Sequence, residues 1–140
     1  MPRTESMLIV DDEPDFAAGL ARLMELEFPD IRVRVANSGE KALEILERDI
    51  PALLLTDLRM PGISGLELLR KALAASPDLT VLLLTAYGDI GTAVEAIKAG
   101  AYDFLTKPAE HETIVRVVAK ALERARFIAE NNRLRSLLAK

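Results

Sequence analysis

Five short apolar runs, each followed by a stretch whose apolar residues recur at helical spacing, constrain this chain more than any other feature. The runs cover residues 7–10, 31–35, 52–56, 80–85 and 102–106, and each is too short for a helix. Three carry apolar residues at consecutive positions, the pattern of a strand buried on both faces, and the last, at 102–106, reads as a short strand running into a cation and a proline. The second, Ile31-Arg32-Val33-Arg34-Val35, alternates instead and reads as an edge strand with one wetter face. Between the runs, Phe16, Leu20, Leu23, Met24 and Phe28 form one apolar stripe, Ala42, Leu43, Ile45 and Leu46 a second, and Leu66, Leu68, Leu69 and Leu73 a third. A weaker, small-residue helix follows at residues 93–99, and one long helical pattern occupies residues 109–138. Alternation of this kind requires a mostly parallel sheet covered on both faces. The expected fold is α/β, a doubly wound five-stranded parallel sheet in the flavodoxin-like order 2-1-3-4-5, with an extended C-terminal helix.

Turn and cap residues support these boundaries. Glu13-Pro14-Asp15 opens the first helix with an acidic cap and a first-turn proline, and Pro29-Asp30 stops it. Asn37-Ser38-Gly39-Glu40 offers an N-cap with a capping-box Glu. Gly100 stands where a C-cap is expected, and the glycine-rich approach to the fourth helix, Gly88-Asp89-Ile90-Gly91-Thr92, predicts mobility there.

In an open sheet of this order, sites form outside the carboxyl ends of the strands, where strand order reverses between strands one and three. Those strands end in Asp11-Asp12 and in Asp57, while strand four contributes Thr85 and strand five Lys107 to the same rim. Asp57 alone also reads as a cap or turn residue, and Asp-Asp-Glu-Pro is a good helix start. Together the five strand ends are more specific. Three clustered carboxylates repel one another, so they share protons or bind a hard cation, and oxygen-only ligands suit Mg²⁺. With Lys107 on the other side, an arriving phosphoryl group meets positive charge, and a carboxylate oxygen can attack phosphorus in line to give an aspartyl phosphate. Asp57 is the best-placed nucleophile, Thr85 a hydrogen-bond donor to phosphoryl oxygen, and Asp11 and Asp12 the metal holders.

Composition narrows the classes further. Without cysteine there is no disulfide, zinc–thiolate site or thiol catalysis. The first six residues are too short and polar to begin a signal peptide, and no apolar run approaches the roughly 20 residues of a membrane span, so a cytoplasmic protein with no membrane partner is expected. The net charge of −4 is uneven: from His111 onward seven Lys and Arg face three Glu, leaving −8 on the body. The basic tail reads as a solvated helix face, and His111 as an ordinary exposed residue.

The runs Leu8-Ile9-Val10-Asp11-Asp12-Glu13-Pro14, Leu55-Thr56-Asp57-Leu58-Arg59-Met60-Pro61-Gly62-Ile63-Ser64-Gly65, Leu84-Thr85-Ala86-Tyr87-Gly88 and Gly100-Ala101-Tyr102-Asp103-Phe104-Leu105-Thr106-Lys107-Pro108 resemble the receiver domains of two-component response regulators. The resemblance implies that Asp57 takes phosphate from a phosphohistidine on a sensor histidine kinase. It implies that Asp12 binds Mg²⁺ directly with Asp11 helping, that Asp57 and the Arg59 backbone carbonyl are further ligands, and that Lys107 and Thr85 hold the phosphoryl group. The aromatic switch of the family maps onto Phe104, which lacks the hydroxyl of the commoner Tyr. The Lys107-Pro108 bond is expected cis, and Arg59 and Tyr87 stand where such domains tune phosphate lifetime. Phe16 and Tyr102 read as core or packing residues.

The run from Gly88 to Val94, with the Glu-Asn-Asn-Arg-Leu ending, resembles receivers of the nitrogen-regulatory and dicarboxylate-transport class of sigma-54 activators. The chain has no Gly-x-x-x-x-Gly-Lys-Ser/Thr loop, so DNA or the sigma-54 machinery would be reached only through a module absent from it. A receiver unit at 1–125 and a helical linker at 126–140 are expected. Ile114, Val118, Ala121, Ala125 and Ile128 alternate spacings of four and three, which reads as a homodimer seam along the C-terminal helix; the alternative is packing on the chain's own domain. The rival function is an Mg²⁺-dependent phosphatase with an Asp57 nucleophile. Such a hydrolase commonly carries a second carboxylate two residues on, where this chain has Arg59, so a switch that is not a turnover enzyme is expected. A flavin-binding domain on the same architecture fits less, since acids stand where a cofactor phosphate wants amides and hydroxyls.

Overall fold

A computed structural model describes residues 5–86 and 89–139. Strands and helices alternate along the chain: β1 (Ser6–Val10), α1 (Pro14–Glu27), β2 (Arg32–Ala36), α2 (Gly39–Arg48), β3 (Leu53–Asp57), α3 (Gly65–Ala75), β4 (Thr80–Ala86), α4 (Ile90–Lys98), β5 (Asp103–Lys107) and α5 (His111–Leu138). The sheet is ordered β2-β1-β3-β4-β5, all its pairings are parallel, and β3 lies at the centre. The expected doubly wound order is thus the observed one.

Period-two alternation along the buried strands feeds two separate cores. Leu8, Val10, Leu54, Val81 and Leu83 point to the side covered by α2, α3 and α4. Met7, Ile9, Leu53, Leu55, Leu82, Leu84 and Leu105 point to the side covered by α1 and α5. Leu53, Leu54 and Leu55 are fully buried, and each contributes about 2 kcal/mol by leaving water. That anchoring fixes where β3 delivers Asp57. On β2 most side chains stay exposed or half-exposed, as an edge strand with a wet face requires.

Local chemistry agrees with the sequence at most ends and departs at some. Ser38 caps α2 by accepting from the Lys41 N–H at 3.1 Å, while Glu40 reaches across to the Ile63 N–H at 3.1 Å. The expected capping box is therefore a single serine cap plus a tie to the loop after β3. Glu13 occupies the N-cap of α1 but makes no side-chain cap bond, and Asp11 accepts the Glu13 N–H instead at 2.9 Å. Gly100 closes α4 at φ +119°, a left-handed conformation open mainly to glycine. The Lys107-Pro108 bond is cis, as expected.

The long C-terminal helix divides by environment. Ile114, Val118, Ala121 and Leu122 are buried in the core beneath α1 and the sheet. The seam expected for a homodimer is therefore corrected over Ile114, Val118 and Ala121: the domain's own sheet satisfies those apolar groups. Beyond them, Arg124 donates to Thr80 Oγ1 at 2.6 Å, Arg126 to Glu5 at 2.9 Å and Asn132 to Asp78 at 3.1 Å, which tie the helix to the base of the domain. Residues 133–139 are exposed. No helix among the described residues is long and apolar enough to cross a membrane.

Candidate functional site

The carboxyl ends of β1, β3 and β5 meet at one rim because these strands run parallel and in register, Val10 beside Thr56 and Ala86 beside Lys107. Asp11, Asp12 and Asp57 each place a carboxylate oxygen within 4.8 Å of the others. Lys107 Nζ lies 2.8 Å from Asp11 Oδ2 and 3.3 Å from Asp57 Oδ2. Asp11 is completely buried, Asp57 nearly so and Asp12 half-exposed, which leaves one open side to the cluster.

The electrostatics follow from that crowding. Burial pushes the Asp57 carboxyl above its ordinary value; the Lys107 charge opposes the rise, the Asp11 charge adds to it, and hydrogen bonds from Lys107 and the Arg59 backbone N–H pull it back in part. For Lys107, burial would lower the value, but Asp11 and Asp57 outweigh it and hold the ammonium above its usual range. Three carboxylates and one ammonium carry a net formal charge of −2, and the donors facing the open side are all oxygen. This is a set that fits a hard divalent cation.

Asp11 shows why the two readings of Asp11-Asp12 were never exclusive. One of its oxygens accepts the Glu13 N–H at the start of α1 while the other pairs with Lys107. A single carboxylate thus serves the helix start and the site.

Thr85 is fully buried at the end of β4, and its hydroxyl donates to the Ala86 carbonyl at 3.2 Å. It stands on the rim but outside the carboxylate cluster. Phe104 is half-buried against the α2–α3–α4 core. Arg59 turns its N–H toward Asp57, while its guanidinium makes a two-point pair with Asp89 at 2.8 and 2.6 Å. Tyr87 and Gly88 lie outside the described residues. His111 is exposed at the first position of α5, as expected.

Two contacts were not anticipated. Phe16 lies beneath Lys107, its ring centroid 4.1 Å from Nζ, so it is a wall of the site as well as a packing residue. The signal was available, since Phe16 follows Asp12 by one helical turn. Asp89, read only as part of a glycine-rich lead-in, is instead the partner of Arg59; nothing in local spacing ties residues 30 apart. Tyr102 packs, as one of its two expected roles has it, but not in the core. It is 39% exposed and carries Arg124 over its ring at 5.6 Å, so it belongs to the surface.

Comparisons with known proteins agree with this geometry. The family model described as "Response regulator receiver domain" matches residues 7–119. The C4-dicarboxylate transport transcriptional regulatory protein DctD of Rhizobium meliloti is 38% identical over 135 residues, 96% of this chain and 29% of that protein. The response regulator protein PilR of Pseudomonas aeruginosa is 41% identical over 84% of this chain and 26% of its own length. The chain thus spans under a third of these curated relatives. Among solved structures, the receiver domain of NtrX from Brucella abortus superposes with a TM-score of 0.79 at 34% identity, covering 84% of this chain and 98% of that one. A receiver domain protein from Clostridium thermocellum gives 0.83 at 28% identity, covering 89% and 98%. With its rim of strand-end carboxylates, its β2-β1-β3-β4-β5 sheet and this match along most of its length, the chain belongs to the response regulator receiver domain family.

Proposed function

We propose that the chain is a phosphorylation-dependent signalling switch in which Asp57 accepts a phosphoryl group from a phosphohistidine on a sensor histidine kinase. The observation that carries this reading is the gathering of Asp11, Asp12 and Asp57 within 4.8 Å with Lys107 bridging two of them. Asp12, Asp11, Asp57 and the Arg59 carbonyl would hold Mg²⁺, which supplies positive charge against the transferring phosphoryl group. Asp57 attacks phosphorus in line as the N–P bond breaks, and the histidine nitrogen leaves with the bonding pair. Burial that disfavours the Asp57 charge also strips solvent from it, so the attacking oxygen is reactive. Lys107, already above its usual pKa range, stays cationic and turns from Asp57 toward a phosphoryl oxygen.

Thr85 then exchanges its 3.2 Å bond to the Ala86 carbonyl for one to the phosphoryl group. The space it vacates is taken by Phe104, and populations shift on the face of α4, β5 and α5. On the receiver unit at 1–125 this is the regulatory output; residues 126–140 are a linker toward a transcriptional module of the kind named in the DctD relative. The sigma-54 machinery is the target class we assign to that module, and the cytoplasm is its place. A hydrolase reading fits less well, because the side chain two after Asp57 is a guanidinium committed to Asp89.

Homodimerisation belongs to the same proposal, on a different stripe from the one the sequence suggested. Phe127, Asn131, Leu134 and Leu138 follow spacings of four, three and four on the side of α5 turned away from the domain, and Phe127 is 73% exposed. In a parallel pair of helices, Glu130 of one copy falls opposite Arg135 of the next, a complementary flank.

The test is transfer of labelled phosphate from a phosphorylated kinase, or from a small acyl phosphate, in the presence of Mg²⁺. One phosphate per chain, labile to base and to hydroxylamine, absent from Asp57→Asn and slowly lost, is expected. Incorporation into the Asn variant at the wild-type level, or steady turnover of many phosphates per chain, would overturn the reading.

A further inference from the structure

α4 begins without the side-chain cap that its N-cap residue is equipped to give. Ser38 and Ser64 cap α2 and α3 from extended backbone, at ψ 159° and 165°, each accepting a first-turn N–H. Asp89, at φ −96° and ψ 26°, accepts none. Both of its carboxylate oxygens are taken by Arg59, through Nε at 2.8 Å and Nη2 at 2.6 Å. An aspartate is among the best N-cap residues, and its charge suits the positive end of a helix. Here that capacity is withheld.

Arg59 is placed to be both the holder and the sensor. Its loop is fixed at the base: Leu58 N–H donates to the Leu84 carbonyl at 2.9 Å, Gly65 N–H to the Leu58 carbonyl at 2.9 Å, and Leu58 and Met60 are buried. The side chain itself is 78% exposed, a solvated arm on a buried mount. Its backbone N–H acts on the Asp57 carboxylate. Between this loop and the first turn of α4 lies a cleft of about 500 Å³, reached by Leu58, Met60, Ser64 and Thr92, into which that turn has room to move.

We propose that Arg59 is an exchange latch: without a phosphoryl group on Asp57 it holds Asp89 off the α4 N-terminus, and with one it transfers to the phosphoryl oxygens and releases Asp89 to cap α4. The proposal rests on Asp57 being the phosphoacceptor. An aspartyl phosphate carries about two negative charges where the carboxylate carried one, and offers a guanidinium the paired oxygens it matches best. The pair is two-pronged and only its Arg59 end is solvated, so it is the charge added at Asp57, rather than weakness of the pair, that draws the guanidinium across. Capping requires Asp89 to rotate toward the extended backbone of Ser38 and Ser64, and that rotation carries the first turn of α4 with it. The half-exposed Ile90, Val94 and Ile97 then change their presentation.

Amide spectra of the full chain, with and without beryllofluoride and Mg²⁺, test the latch in wild type, Asp89→Asn, Arg59→Ala and the double variant. Asparagine caps a helix as well as aspartate but cannot hold the ion pair. Without the mimic, Asp89→Asn is expected to move α4 resonances toward their mimic-bound wild-type positions, a population change of about fivefold, the upper end for a pair solvated at one partner only. Arg59→Ala should produce a similar shift, and the double variant no more than the larger single effect. α4 resonances unmoved in Asp89→Asn, or single effects that add in full, would overturn the latch even in a protein that binds the mimic at Asp57. A wild type that fails to bind beryllofluoride would instead overturn the reading of Asp57, and the exchange with it.

Discussion

Replacing Asp57 by asparagine should make the metal-free protein more stable, although it removes a residue from the heart of the site. The Asp11 and Asp12 carboxylates have oxygens within 4.8 Å of that of Asp57, and at an effective dielectric of about 20 each opposes its charge by about 3.5 kcal/mol. Lys107, at 3.3 Å, returns about 5 kcal/mol on the same scale, so the charges nearly cancel once the half-exposed Asp12 is discounted for solvent screening, and burial of the Asp57 carboxylate leaves a net cost on the order of 2 kcal/mol. The raised Asp57 carboxyl has the same sign. A carboxyl whose folded value lies above its unfolded 3.8 contributes stability below that pH, and the contribution is lost as pH rises through the folded value. Wild type and variant should therefore unfold alike near pH 3.5 and diverge toward neutrality. Calorimetry in EDTA at pH 7 should show the variant melting about 6 °C higher, from about 2 kcal/mol in a chain of this size. Saturating Mg²⁺ should narrow the gap by raising wild type, by about 1.4 kcal/mol at ten times its dissociation constant. A variant as stable as wild type or less so in EDTA at pH 7 would refute this account of a buried, destabilising charge.

Three further outcomes follow from named contacts. Lys107→Met should destabilise the metal-free protein by about 3 kcal/mol in urea unfolding, because it leaves the buried Asp11 carboxylate without its counter-charge. At Gly65 an added Cβ would collide with the Asp57 carbonyl oxygen and meet Leu58 Cα at 2.7 Å, both backbone. Gly65→Ala should accordingly cost about 2 kcal/mol or more and displace Asp57, seen as weakened Mg²⁺ binding as well as a lowered melting temperature. Along α5, Leu122→Ala should cost about 3 kcal/mol, whereas Leu134→Ala should stay within about 0.5 kcal/mol in dilute protein, and Leu134→Asp should lower self-association in sedimentation without changing the melt.

The sequence determined the sheet, and it did so through length and periodicity. Runs of four to six apolar residues bounded by Pro, Gly and Asp cannot be helices, and their alternation with helical stripes leaves few arrangements other than a parallel sheet covered twice. Because parallel strands deliver their carboxyl ends to one edge, Asp11, Asp12, Asp57 and Lys107 could be assigned to a common rim before any coordinates. What periodicity does not encode is which of two apolar surfaces a stripe will choose. Ile114, Val118 and Ala121 satisfy a pairing pattern equally well against a second helix or against β3 and β4, and proximity within one chain decided for the sheet. Direction of side chains was likewise beyond reach. Thr85 stands at its strand end with the hydroxyl turned to the Ala86 carbonyl, and Arg59 crosses to Asp89, 30 residues on, through space that only the folded loops enclose. Charge crowding at the rim was legible from composition and topology; the balance that raises Asp57 depends on burial and on a 3.3 Å contact, and those exist only once the strands have packed.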